Sequence, residues 1–188
     1  MKSKVQSPKS KVRGVRSSVL LALASLGLCH IGLANGGVPV PVEDLAKRAD
    51  AIVHGKVTSL ECARDGAGHM FTRVELDVSS VWKGAATNRF ALVLAGGVLG
   101  DRKVSVVGQP EYRLGEEVVV FTARNPQGEA VTLDLAQGKF TVENNPEAGL
   151  KRVSNGVLGG PAAKAGYRLP TQVPLGLAEL RRRVEAAR

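Results

Sequence analysis

Phe71-Thr72-Arg73-Val74-Glu75-Leu76-Asp77-Val78-Ser79-Ser80-Val81 decides the fold class. Val74, Leu76 and Val78 fall on one side of an extended chain and Arg73, Glu75 and Asp77 on the other, the two-residue period of a half-buried strand. The alternation slips at Ser79-Ser80, ahead of Val81 and Trp82, so a β-bulge or strand end is expected there. Upstream, residues 51–60 repeat the period, with Val53, Gly55 and Val57 facing one way and Ile52, His54, Lys56 and Thr58 the other. Residues 64–68 turn the chain between the two. Downstream, residues 90–94 and 118–123 are apolar without a break, the pattern of strands covered on both faces. Further strands are expected over 103–107, 131–135 and 139–143. Residues 144–158 form a hairpin or ride on the surface.

The two ends of this strand-rich stretch read differently. Val42, Leu45, Ala46 and Ala49 have the i, i+3, i+4, i+7 spacing of a short amphipathic helix, with Glu43 and Lys47 placed as an i,i+4 ion pair. Leu177, Leu180 and Val184 mark a second helix over 174–188, after a Gly/Ala/Pro-rich linker at 159–173. Arg181, Arg182 and Arg183 form a solvated face late in that helix, or a basic foot for an anionic surface. The expected fold is mainly β, a small closed or partly open antiparallel β-barrel with short terminal helices.

Charge and cysteine usage bear on compartment. The chain has 188 residues and a formal charge of +9. Residues 1–34 hold six bases and no acid, so the remainder is nearly neutral. That start reads as a secretory signal: a basic run to Arg16, an apolar VLLALASLGL segment over 19–28, then Gly32-Leu33-Ala34 with cleavage between Ala34 and Asn35. The apolar segment is too short to cross a bilayer core of about 30 Å, so no membrane span is expected after processing. The chain is expected to be exported, periplasmic or secreted. Leu26-Gly27-Leu28-Cys29 resembles a lipobox but has a large residue, Leu28, before the cysteine, so lipidation at Cys29 is the lesser alternative. Cleavage after Ala34 leaves Cys62 as the sole thiol, expected to be inert.

Four stretches carry a resemblance: Ala49-Asp50-Ala51-Ile52-Val53-His54-Gly55-Lys56-Val57, Val81-Trp82-Lys83-Gly84, the run from Gly108 to Phe121, and Ala136-Gln137-Gly138-Lys139-Phe140. They look like a class of small exported bacterial β-domains. Their order also resembles the netrin-like module, the OB-type barrel of tissue metalloprotease inhibitors. That likeness implies an OB/netrin-like barrel and, as one alternative function, a metalloprotease inhibitor. The residues have their own physical reading: Gly55 admits a close neighbour, Gly84 takes positive φ, and Gln137-Gly138 suits a tight hairpin.

Catalytic parts are sparse. After residue 34 the histidines are His54 and His69, neither in a metal-ligand spacing, and no GxSxG, GxGxxG or GxxxxGK[ST] occurs. Glu116 and Glu117 point to opposite faces of a strand. A near-neutral body lacks the footprint of a nucleic-acid binder. The expected function is a non-enzymatic, cofactor-free binding module, without metal or nucleic acid. It contacts an extracytoplasmic protein or envelope component through loops 61–70, 95–103 and 108–116. Arg102, Tyr112 and Arg113 are its exposed candidates, and Trp82 is assigned to the core. The second alternative is an extracytoplasmic hydrolase built around the histidines. Sequence leaves the oligomeric state open.

Overall fold

A computed structural model describes residues 40–145, 149–155 and 175–187. The expected signal, its Ala34–Asn35 junction and the linker at 159–173 lie outside the described residues. Helix α1 (Val42–Arg48) leads into strands β1 (Ala51–Arg64), β2 (Met70–Lys83), β3 (Arg89–Ala95), β4 (Gly97–Leu99) and β5 (Arg102–Val104). Then come β6 (Glu117–Arg124), β7 (Ala130–Thr132), a 3₁₀ turn (Leu135–Gly138), β8 (Lys139–Asn145), β9 (Leu150–Asn155), β10 (Leu175–Gly176) and helix α2 (Leu177–Ala186). The structure is mainly β. Strands run β10-β9-β8-β6-β1-β2-β3 in one antiparallel sheet, with β7 also on β6, and β4-β5 form a separate ribbon. No ladder joins β3 to β7 among the described residues, although the two lie alongside each other, so the hydrogen-bonded path does not close.

The continuously apolar run on β6 explains its central place. Val118 and Val120 join Val53, Val57, Val74, Leu76 and Leu92 in one core. Val119 and Phe121 face the other way, into a second core with Ile52, Trp82, Phe140, Leu45 of α1 and Leu180 and Val184 of α2. Two short helices thus cap one face while the curled sheet covers the other. Phe121 and Phe140 tilt against each other with centroids 5.5 Å apart.

The slip at Ser79-Ser80 is a bulge. In the β1–β2 register Gly55 faces Val78 and His54 faces Ser80, leaving Ser79 over; Trp82 is left over in the same way between Val81 and Lys83. The quoted motifs hold this junction together. Lys83 Nζ donates to the carbonyls of Ala46 and Lys47 at 2.8 and 2.9 Å, capping the C-terminal end of α1. Gly84, at φ 76°, packs against the Asp50 carbonyl where a Cβ would clash. Asp50 Oδ2 accepts from the Arg124 amide at 2.8 Å.

Five expectations need correction. Residues 90–94 form edge strand β3, with Leu92 and Val93 buried but Ala91 exposed. The strand expected over 103–107 shrinks to β5, in the separate ribbon. The strand expected over 131–135 stops at Thr132, which is itself buried. Asp134 and Leu135 then turn left-handed, at φ 48° and 55°, and Asp134 is held there by Arg48 at 2.6 and 2.7 Å. Gln137-Gly138 sits in the resulting 3₁₀ turn rather than in a hairpin. Glu43 directs its hydrogen bonds not to Lys47 but to Arg183 of α2, at 2.6 and 2.8 Å.

Candidate functional site

The β4–β5 ribbon and the residues after it make an arm on the surface. Its root is set by glycine. Gly97, at φ 141°, lies over Thr72 Oγ1 and Cys62 Sγ, where a side chain has no room, and Thr72 Oγ1 donates to the Gly96 carbonyl at 2.8 Å. Cys62 is half-buried beneath this root. Beyond the root the aliphatic side chains face water. Val98 is 60% and Val107 96% exposed, and Leu99, Val104 and Val106 are exposed as well. Arg102 and Lys103 stand among them, both exposed. Water contact for five aliphatic side chains on one short arm is the usual mark of an interaction surface.

Beside the arm lies a hollow of about 710 Å³. Met70, Phe71, Leu94, Val131 and Leu135 line it, and Arg64, Asp65, His69, Gln109, Asn125, Gln127 and Glu129 supply its polar groups. The rim turns are internally braced. Asp65 Oδ1 accepts the amides of Ala67 and His69 at 2.9 and 2.8 Å, and these bonds, the His69 amide first, hold its carboxyl below the usual range. Asn125 Oδ1 accepts the amides of Gln127 and Glu129 at 3.0 and 2.8 Å.

Of the residues singled out from sequence, Arg102 lies on the arm. Tyr112 does not: it is a core residue, 8% exposed. Its hydroxyl meets Thr132 Oγ1 at 2.9 Å, and Lys139 Nζ sits 4.9 Å from its ring centroid. Burial raises the phenol well above its ordinary pKa. Arg113 is exposed, in a turn closed by its own amide donating to Glu116 Oε2 at 3.0 Å. That turn is anchored at Val57, whereas the arm is anchored at Cys62 and Thr72. Trp82 is buried in the helix-covered core, as assigned.

Glu116 and Glu117 enter two separate polar clusters on opposite sides of β6. Glu116 Oε1 accepts from Lys139 Nζ at 2.6 Å and Thr141 Oγ1 at 2.8 Å, and Lys139 Nζ also donates to the Glu111 carbonyl. Burial pulls the Lys139 pKa down, against the opposing pull of Glu116. Glu117 Oε1 meets His54 Nε2 at 2.7 Å, and Lys151 Nζ approaches the same carboxylate at 2.8 and 2.9 Å. Burial raises the Glu117 pKa, but its bonds to Lys151 and His54 outweigh that and bring it below the ordinary range. On its far side His54 Nδ1 faces Ser80 Oγ at 3.4 Å, and Ser80 Oγ accepts from Trp82 Nε1 at 2.9 Å.

This places an acid beside each histidine, since His69 Nδ1 lies 3.1 Å from Asp65 Oδ2. The order Ser80–His54–Glu117 is that of a nucleophile, base and orienting acid. The indole N–H already occupies a lone pair of the Ser80 oxygen. Among the described residues no three His, Cys, Asp or Glu side chains cluster as metal ligands. No helix among them is long and apolar enough to cross a membrane. Arg181, Arg182 and Arg183 each pair with an acid, Glu185, Glu179 and Glu43.

Sequence reasoning placed Val98 in a candidate loop and a turn at 125–128 but singled out neither, and it read Val106 and Val107 as part of a strand. The available signal was five aliphatic residues between 98 and 107, broken by Gly, Asp, Arg and Lys in a stretch too short to bury them. No protein-family model matches the chain, and neither a curated protein nor a solved structure matches it.

Proposed function

We propose that the chain is an exported, non-enzymatic binding module that engages a partner protein at its loop end. The arm carries the proposal: Val98, Leu99, Val104, Val106 and Val107 sit in water, flanked by Arg102 and Lys103. A partner presenting an apolar, acidic face removes that surface from water at about 25 cal/mol per Å² and gives the two cations a counter-charge. A lipid surface is the poorer match, because the ribbon tip is Gly100-Asp101-Arg102 and the aliphatic side chains flank it. The unpaired neighbours β3 and β7 support the finer fold reading, a partly open OB/netrin-like barrel with its seam there.

A photo-crosslinking residue at Val107 is the test. We expect one protein of the extracellular or envelope fraction to be captured, and capture to fall at least tenfold with Val98→Asp plus Val107→Asp. The same adducts from a probe at exposed Asp44, or none at all, would overturn the reading.

One observation favours a second reading, the hydrolase: the Ser80–His54–Glu117 string. An active-site fluorophosphonate labelling Ser80 in the native chain, and failing in His54→Gln, would establish it.

A further inference from the structure

The hollow beside the arm continues past its own rim. A second hollow of about 240 Å³ follows it along β3, and the two share Val93 and Glu129. Between them they trace β3 from Phe90 to Ala95, the edge that lacks a ladder partner among the described residues. β7 lies alongside that edge and lines the same hollows, so a ligand seats over the two strands with its side chains in the hollows rather than adding to the edge as a further strand. Six residues of β3 span roughly 20 Å, the reach of a short linear segment.

The two hollows differ in chemistry. The large one is floored by aliphatic and aromatic groups, Met70, Phe71, Leu94 and Val131 among them. The small one carries Arg73 and Arg124 against one carboxylate, Glu129. Glu129 Oε2 already accepts from Asn125 Nδ2 at 3.0 Å, and Arg124 Nη1 is turned onto the Gly128 carbonyl at 2.5 Å. Arg73 is exposed and has no hydrogen-bond or ion-pair partner among the described residues. An apolar trough ending in surplus guanidinium suits an apolar ligand with a negative end.

We infer that the groove along β3 binds an extended apolar peptide segment whose carboxylate sits between Arg73 and Arg124. This rests on the reading of the chain as a protein-binding module and names the partner's chemistry. The carboxylate has two sources, an Asp or Glu side chain or a free chain terminus.

The test uses the secreted chain and a random heptapeptide array synthesised twice, with free and with amidated C termini. Enrichment of peptides with alternating apolar residues and an acid is expected, present in both arrays for an acidic side chain and confined to the free-acid array for a chain terminus. Affinity of the best binders should fall about tenfold in Arg73→Ala, return in part with Arg73→Lys, and vanish in Leu94→Glu. Thermal melts of each variant keep unfolding separate from lost binding. Binders indifferent to Arg73→Ala and to Leu94→Glu, or an array without binders, overturn the inference. The arm variant Val98→Asp plus Val107→Asp separates the two ideas: protein capture that persists in it sinks the arm, while array binders sensitive to Arg73→Ala retain the groove, and capture lost in it with no such binders in the array sinks the groove alone.

Discussion

The helix-capped side of the sheet and its loop end are built on opposite terms. On the capped side every conspicuous residue is committed: Lys83 to the carbonyls of α1, Glu43 to Arg183, Phe121 to Phe140, and Ser80, His54 and Glu117 to one another and to Lys151. At the loop end Val98 and Val107 face water, Arg73 has no partner among the described residues, and β3 makes no ladder with its neighbour β7 among them. Groups satisfied within the chain specify a structure, and aliphatic side chains held in water are those whose burial against another surface would be favourable. The contrast separates what the molecule needs to fold from the surface on which the proposed binding rests.

Four measurements can break or sharpen that contrast. Phe121→Ala should cost about 3–5 kcal/mol by urea denaturation, because it empties the centre of the capped core. A loss under about 1 kcal/mol would mean that this core is not tightly packed. Lys139→Ala removes one partner of a nearly buried ion pair and leaves Glu116 short of its cation. The expected loss is about 3 kcal/mol, smaller in Lys139→Ala/Glu116→Gln than the two single losses combined, and an additive double mutant would contradict the pairing.

The third measurement concerns pH. The Arg183 hydrogen bonds hold the Glu43 carboxyl below its ordinary value of 4.5. The unfolded chain therefore binds the proton first, and the contribution is fully present above 4.5 and lost as pH falls through the folded value. The pair is more than a third exposed, so solvent screening limits its contribution to a few tenths of a kcal/mol. In Glu43→Gln the acid limb of the stability profile should flatten slightly; an unchanged limb would show that α2 is held by Leu180 and Val184 alone. The smallest effect is expected at the arm. Val107→Ser should leave stability within about 0.5 kcal/mol, and a larger loss would make the arm part of the scaffold instead.

Legibility in the sequence followed the same division. The alternation at Val74, Leu76 and Val78, the unbroken β6 run and the slip at Ser79-Ser80 were readable because burial imposes a period on the chain. The Leu133 and Leu135 pattern misled for a tertiary reason: Arg48, far away in sequence, holds Asp134 in a left-handed turn and stops the strand at Thr132. Tyr112 read as a loop aromatic because its partners, Thr132 and Lys139, come from later strands. Arg102 was found through its loop, which also holds Val98, but Val104, Val106 and Val107 were taken for a strand. Aliphatic residues in a sequence read as buried, and it is the fold that puts Val107 in water.

Trp82 is the only tryptophan in the chain, and it lies in the capped core with its indole bonded to Ser80. Its emission is consequently a built-in gauge of whether the two helices are seated. Occupancy of the arm or the groove, reported from elsewhere on the molecule, can be followed without that signal moving.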